Sequence, residues 1–455
     1  MLGQPKLDPI LSCDKIDESK NDIFRPIHYL GSKLRVLEQI DDIMLNLASD
    51  GDHIVDLFSG SGTVSNFLSH RYSVTANDIQ EYSRVINNAL LSSTASILDA
   101  EQFLTSCAHS HFHELSESCI TPLINFEKIA IKESFNGDSQ LLCDVVESGS
   151  IMTSDVTSNS PLHEVLHSVK SKLNNIQNLN PNHFIATKYF GGVYFSYKQA
   201  VDIDIISYEI SLLKKSSKDM YMAALLSTVS EVVNSVGKHF AQPIRPKDKD
   251  GRPKNNLAKS ISKDREIDVI KTYKKFLFRY IQSSTKKYQN NATKLDFTDC
   301  LKESKNIKVV YADPPYTRDH YSRFYHVLET LALQDSPKVS TTKINGEIKY
   351  SRGIYREDRH QSPFCIRSKA PKAFEELFSL TSKSGASLVL SYSPFNSESK
   401  THPRVMDIDT INSLGKKYFS NIECISAGEL RHSKLNHSSM HLDASDEAEL
   451  FLIFK

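Results

Sequence analysis

Short apolar runs rich in β-branched residues alternate along this chain with longer stretches whose apolar positions recur at helical spacing. Ile54-Val55-Asp56-Leu57-Phe58 predicts a strand. Ser59-Gly60-Ser61-Gly62-Thr63 follows as a Gly-rich turn, and Val64, Phe67 and Leu68 open a helix. Tyr72–Ala76 predicts a second strand, ending in Asn77-Asp78. Val309-Val310-Tyr311-Ala312 predicts another, closed by Asp313-Pro314-Pro315-Tyr316. Ala386–Leu390, Asn421–Ser426 and Glu449–Phe454 read as later strands. Helical spacing appears at Leu34–Leu47, Ile79–Leu98, Gln199–Leu213, Met220–Val236, Ile267–Tyr280 and Phe374–Leu380. Strands alternating with helices predict an α/β fold.

From Asp78 to Asp313 is 235 residues. No compact domain carries a loop of that length, so the interval must hold structure of its own. Residues 99–180 read as mixed helix, rich in Ser and Asn. Lys188–Ser196 reads as a turn or short hairpin. Residues 335–370 read as a polar, basic, mobile loop.

Net charge changes little in this picture, since Lys+Arg and Asp+Glu are both 55. Its distribution is more telling. Residues 238–287 hold fifteen Lys/Arg against five Asp/Glu, and residues 91–160 hold ten Asp/Glu against two Lys. One face suits an anion and another avoids it; a solvated surface is the plain alternative for each block. The first half of the basic block, with Arg245, Lys247, Arg252 and Lys254, is a Pro/Gly/Asn-rich loop suited to phosphate contacts. Seven scattered cysteines with no C-x-x-C pair argue against a zinc site or a disulfide framework and fit a reducing cytoplasm. No metal is expected. No leader pattern and no membrane-length apolar run is seen, so a cytoplasmic protein without a membrane partner is expected.

The candidate chemistry gathers at strand ends. Glycines at 60 and 62 let a turn tighten and a ligand approach the backbone. Asp78, at the end of the second strand and 22 positions after Asp56, can accept hydrogen bonds from both ribose hydroxyls of a nucleoside, or cap the next helix. The spacing is shorter than G-x-G-x-x-G and no G-K-[ST] follows, which weakens dinucleotide and triphosphate readings. S-adenosylmethionine is a nucleoside without phosphates and needs no phosphate cradle. Tyr29 and Lys33 flank the Gly31-Ser32 turn, where Ser32 would cap a helix. They suit an adenine ring or a carboxylate, or are an ordinary capped helix with a surface lysine. Asp296 stands where a third strand could end beside that adenine, or is a simple turn aspartate. Asp313 ends an apolar strand where α/β sheets place ligands, and the two prolines stiffen the backbone beyond it. Asp313 and the Pro314 carbonyl can accept the two N–H bonds of an exocyclic base amine, and Tyr316 can stack the base. Arg318 and Tyr321 follow in a segment dense in aromatic and base-contacting side chains.

Taken together these motifs resemble the DNA adenine-N6 methyltransferases of the Dam-like, D12 class, of restriction-modification type. The order matches: Tyr29–Lys33, then Asp56–Gly62, a large insertion, then Asp313–Tyr316. The resemblance implies a Rossmann-like S-adenosylmethionine-dependent methyltransferase sheet with a large inserted, mostly helical target-recognition domain. Residues 1–98 and 291–455 would form the methyltransferase part and 99–290 the insertion. It implies a catalytic Asp313-Pro314-Pro315-Tyr316 motif and donor contacts from Tyr29, Lys33, Asp56, Gly60, Gly62, Asp78 and Asp313. Double-stranded DNA is the implied partner, bound through Arg245, Lys247, Arg252, Lys254, Arg318 and Tyr321, with a cognate restriction endonuclease on the same site as a further partner. Many members carry Trp where Tyr29 stands. N4-cytosine methylation is the nearest alternative, although Ser is common there at the position of Asp313. RNA methylation and a non-catalytic DNA-binding regulator with this fold are the others.

Overall fold

The computed structural model describes residues 24–154, 160–176, 180–283, 286–317, 321–344, 347–393, 404–426 and 449–455. Its strands are β1 (His53–Asp56), β2 (Ser73–Asp78), β3 (Asn291–Lys294), β4 (Ile307–Ala312), the hairpin β5 (Thr341–Ile344) and β6 (Glu347–Tyr350), β7 (Ser387–Tyr392), β8 (Ile422–Ser426) and β9 (Leu450–Phe454). Seven of them form one sheet in the order β3-β2-β1-β4-β7-β9-β8. Neighbours from β3 through β7 pair in parallel, while β9 runs against both β7 and β8.

The apolar runs are continuous because both faces of the sheet are covered. On one face Ile54, Val74 and Val309 share a core with the helices Glu81–Leu91, Lys215–Val232 and Val269–Ser283. On the other, Val55, Val310 and Leu388 pack with Phe374, Leu377 and Phe378 of the helix Ala370–Lys383. A third core lies away from the sheet, where the helices His111–Phe135, Gln140–Ser148, Pro161–Asn174, Tyr197–Leu212 and Leu257–Arg265 meet. The interval 99–290 thus feeds two cores, one of them shared with the sheet.

Local chemistry explains where elements stop. The helix predicted over Ile79–Leu98 ends at Leu91, and a new one runs over Ile97–Ala108. Ser96 and Asp99 form a reciprocal capping box there, a strong restart signal. Lys188–Ser196 lies in a π-helical turn (Ala186–Phe190) and a tight return in which Gly191 bridges Phe195. The polar stretch 335–370 carries the β5–β6 hairpin and a buried Arg356, held by Asp335 at 2.7 Å and Asp358 at 3.0 Å. No described helix is long and apolar enough to cross a membrane.

The acidic and basic blocks meet in this structure. Glu147 pairs with Lys247 at 2.9 Å. Glu127 and Arg265 form an ion pair whose side chains are 5% and 2% exposed. Glu127 also accepts from the Tyr197 amide at 2.9 Å, and Arg265 donates to the Gly192 carbonyl at 2.6 Å. Four segments therefore depend on one pair of charges, and each charge is costly if left alone. Glu127→Ala is expected to lose about 3–5 kcal/mol of stability, read from the midpoint of urea unfolding by circular dichroism. A loss below about 1 kcal/mol, typical of exposed pairs, would show that water reaches it.

Candidate active site

The chain leaves β1 toward β2 and β3 on one side, and returns to β4 on the other. The carboxyl ends of β1 and β4 therefore diverge into different loops and leave a crevice between them. A pocket of about 1010 Å³, counting the part open to solvent, lies there. That volume is at the upper end of ordinary small-molecule sites. Tyr29, Lys33, Asp78, the whole Asp313–Tyr316 motif and Tyr321 line it. These residues lie up to 292 positions apart and converge only through the sheet order.

One end of the pocket is apolar. Phe58, just past β1, meets Phe297 at 6.0 Å and Phe364 at 5.4 Å between ring centroids, and Phe297 meets Phe364 at 5.2 Å. Leu57 and Ile79 complete the wall. Asp78 and Asp296 stand at its rim. Asp78 accepts the Gly60 amide at 3.1 Å and the Gln80 amide at 2.9 Å, which fixes its orientation and leaves lone pairs on both oxygens. Asp296 also caps the helix Phe297–Glu303 through the Thr298 amide. An aromatic slot with a fixed carboxylate at its edge fits an adenosine group: the rings take the base and Asp78 the ribose.

Gly60 does not line the pocket but supports this end from behind, through its amide on Asp78. Gly60 has φ +50°, and a Cβ there would lie 2.6 Å from the Tyr29 ring. The glycine is needed because Tyr29 lies against it. Tyr29 stacks in turn on Tyr325, with centroids 4.9 Å apart at 14°.

The other end is charged. Lys33 is 6% exposed, and its ammonium lies 2.8 Å from Asp313 and 3.3 Å from Glu449. Ser391 donates to the same Glu449 oxygen. Lys33 is therefore not a surface lysine beside a cap, and Ser32 makes no side-chain cap bond to the short turn that follows it. Burial works against the ammonium, but Asp313 and Glu449 outweigh it and hold its pKa well above that of a free lysine. Burial pushes the Asp313 carboxyl up to about 6; Lys33 opposes that and Glu449 adds to it. Tyr316 lines the pocket with its ring mostly covered, by Tyr392 at 5.1 Å and by the Arg404 guanidinium at 4.9 Å. A base stacking on Tyr316 would share that ring with Arg404.

Other predicted residues lie elsewhere. Asp56 is buried behind the pocket wall, where its carboxylate accepts the Ser65 hydroxyl at 2.6 Å. Burial raises its pKa to about 7. Gly62 caps the helix Thr63–Leu68 in left-handed geometry and faces Leu90 and Asn87. Arg245, Arg252 and Lys254 are exposed, and Lys247 is engaged by Glu147. Arg318 lies outside the described residues. Sequence reasoning missed Phe58, Phe297, Phe364 and Glu449 as pocket or network members. Glu449 left a faint signal, a carboxylate opening the otherwise apolar strand Leu450–Phe454.

A mostly parallel sheet with one reversed strand near its edge, and a ligand crevice between β1 and β4, is the fold of the S-adenosylmethionine-dependent methyltransferases. Within that class, residues 29–136 match the family model described as D12 class N6 adenine-specific DNA methyltransferase, in keeping with the resemblance read from the motifs. The chain is 22% identical over 440 residues to the LlaI modification methylase of Lactococcus lactis subsp. lactis, covering 94% of this chain and 55% of that protein. It is 22% identical to the type II methyltransferase M.FokI of Planomicrobium okeanokoites, over 77% of this chain and 42% of that one. It is 24% identical to the type II methyltransferase M.NlaIII of Neisseria lactamica, over 77% and 79%. The chain thus spans about half the length of the first two relatives.

The charged end makes a direct prediction about protonation. Asp313 should titrate near pH 6, well above a free carboxylate. Lys33→Met removes the favourable charge and should move the midpoint up; Glu449→Gln removes a repulsive one and should move it down. Carboxyl-labelled aspartate NMR, with the resonance assigned by its loss in Asp313→Asn, reads both directions. A midpoint near 4 in the wild type, unmoved in either variant, would mean the network is solvated.

Proposed function

We propose that this protein moves a methyl group from S-adenosylmethionine to the N6 amino group of adenine in double-stranded DNA, as the modification member of a restriction-modification or similar system. The carrying observation is Asp313. It ends β4 at the pocket, is 21% exposed, and is fixed by Lys33, which Glu449 holds from the far side. The D12 family match supports adenine as the target.

An exocyclic amine is a weak nucleophile because its lone pair is delocalised into the ring. The protein's task is to hold that nitrogen with acceptors, in line with the methyl group. Asp313 accepts one N–H, and the Pro314 carbonyl, fixed by the flanking prolines, accepts the other. Positioning of this kind contributes much of the rate gain. Asp313 needs to be an acceptor and not a strong base, and Lys33, against burial and Glu449, keeps it ionised above about pH 6. S-adenosylmethionine, when bound, supplies the electrophilic methyl group. Phe58, Phe297 and Phe364 would hold its adenine, Asp78 its ribose, and Tyr29 and Lys33 the end nearest Asp313. In a duplex the target base leaves the stack to reach this pocket, which costs a few kcal/mol. In this reading residues 1–98 and 291–455 carry donor and catalysis. Residues 99–290 recognise the target, with Arg245, Arg252 and Lys254 on phosphates and Tyr321 beside the base. An endonuclease cutting the same site would complete the system.

Incubation with labelled donor and DNA, followed by nucleoside analysis, is expected to yield N6-methyladenine. Recovery of N4-methylcytosine, or label in RNA alone, would overturn the reading. Asp313→Ala should lower kcat by about 100-fold or more while DNA affinity is retained. No transfer by the wild type, with DNA binding intact, would instead indicate a regulator.

Neutralising Arg245 and Arg252 should weaken duplex binding and flatten its salt dependence by about one unit of slope each. Lys247→Gln should have a smaller effect, since Glu147 already takes up its charge. Equal slopes in all three variants and the wild type would remove this loop from the interface.

A further inference from the structure

Most buried or half-buried cations in this structure are matched by a carboxylate. Arg84 has Glu81 and Asp219, Lys238 has Asp264, and Arg356 has Asp335 and Asp358. Among the described residues one cluster departs from that pattern: the half-buried Arg352 and Arg359, with the more exposed Arg323 and Arg245 beside them, form no ion pair with a carboxylate. The guanidinium groups of Arg323 and Arg359 lie 5.4 Å and 5.3 Å from the centre of the Tyr355 ring. Both distances are within cation–π range. Tyr355 is fixed by its hydroxyl, which donates to the Ala241 carbonyl at 2.6 Å. Arg352 is held nearby through the Ile244 carbonyl, and its Nε is buried without a partner. Arg245 stands next to it. Burial, with the Arg245 charge adding to it against the pull of Glu147, holds the Arg352 pKa below the usual arginine range. Glu147 and Asp358, the carboxylates that act on Arg352 and Arg359, are already engaged, Glu147 by Lys247 at 2.9 Å and Asp358 by Arg356 at 3.0 Å.

Four like charges drawn together, two of them on one ring, repel each other unless an anion joins them. Flat guanidinium groups suit phosphate in particular. The location narrows the choice of phosphate. Arg323 directly follows Tyr321 and Ser322, which line the active-site pocket. Arg359 directly precedes His360, Gln361 and Ser362, which line it from the other side. Each side of the pocket mouth therefore passes in one residue from pocket wall to arginine.

We infer that Arg323 and Arg359 on Tyr355, backed by Arg352 and Arg245, form a clamp for the DNA phosphates flanking the nucleotide turned into the pocket. The inference rests on the methyltransferase reading, and it names the polymer contact nearest the chemistry. The clamp pins the backbone beside the extruded base, where the open conformation has to be held while the amine is aligned. It neutralises phosphate and reads no base edge, so it is indifferent to sequence.

The experiment compares the wild type with Arg323→Gln, Arg359→Gln and the double variant. A mixed-sequence duplex is the probe, and fluorescence anisotropy is followed over a range of salt concentrations. The double variant should lose about two units of salt slope, since each phosphate contact contributes about 0.9. Its KM for DNA should rise at least tenfold while kcat at saturating DNA stays within about threefold, as expected for uniform binding. Arg323→Lys with Arg359→Lys keeps the charge and should restore most of the slope, which separates phosphate binding from lost packing. If the Gln variants fail to fold, Arg245→Gln and this Lys pair carry the test. Unchanged slopes in the folded Gln variants would overturn the clamp, as would single-stranded RNA competing as well as duplex. Wild-type transfer with unchanged slopes sinks the clamp alone. Reduced slopes without any wild-type transfer sink the methyltransferase reading and leave the clamp standing.

Discussion

The contact on which the site depends is one buried ammonium between two carboxylates. Lys33 comes from the turn before the first helix, Asp313 from the residue after β4, and Glu449 from the residue before β9. Three charges leave water together, and one cation is shared by two anions. Burial penalises each of them, so the arrangement persists only where geometry is tight and the remaining lone pairs are used. Ser391 on β7 occupies one of them. The network also ties the reversed strand β9 to the pocket end of β4 through β7, which lies between them in the sheet. The segment opening β9, more than a hundred residues after Asp313–Tyr316, therefore adds its charge to the surroundings of Asp313.

That constraint explains why the site is assembled from distant segments. In a parallel sheet, carboxyl ends face one way, and neighbouring strands are joined by long crossovers. At the switch point the loops after β1 and β4 turn apart, and the pocket forms in the gap. The strands supply rigid ends; the loops supply chemistry. Phe58 and Asp313 are each within two residues of a strand end, which fixes their spacing across the pocket. Phe364 and His360 come instead from the polar stretch before the helix Ala370–Lys383, so one wall of the pocket belongs to a connection and not to the sheet.

Much of this was legible in the sequence wherever an element carried its own period. The strands at 54, 73, 309, 387 and 450 stood out because both faces of the sheet are covered there, so their apolar runs are largely unbroken. Asp78 and Asp313 stood out because a polar residue at the end of such a run has few structural reasons to be there. What escaped depends on pairing between distant segments. Nothing local distinguishes Phe364 from any aromatic in a polar loop, or Glu449 from an acid opening an edge strand. The burial of Lys33 was invisible for the same reason, since its partners lie 280 and 416 positions away. The break between Leu91 and Ile97 was visible in principle, because Ser96-x-x-Asp99 is a capping pattern.

The distribution of charge gains its meaning at the same level. A near-even count of acids and bases suggests a protein indifferent to polyanions, and the two opposed blocks suggest separate faces. The fold does something else with them. It sets Glu127 and Glu147 of the acidic block against Arg265 and Lys247 of the basic one, and those cations are neutralised. Arg323, Arg352 and Arg359 come from the chain after β4, and Glu147, the acid of that block that acts on Arg352, is already paired with Lys247. The acidic helices thus concentrate the remaining positive potential as well as holding the insertion together. They cancel it at Lys247 and Arg265, while exposed cations such as Arg245 and Arg252 and the arginines at the mouth of the pocket keep theirs. Local positive potential therefore persists in a chain whose net charge is zero.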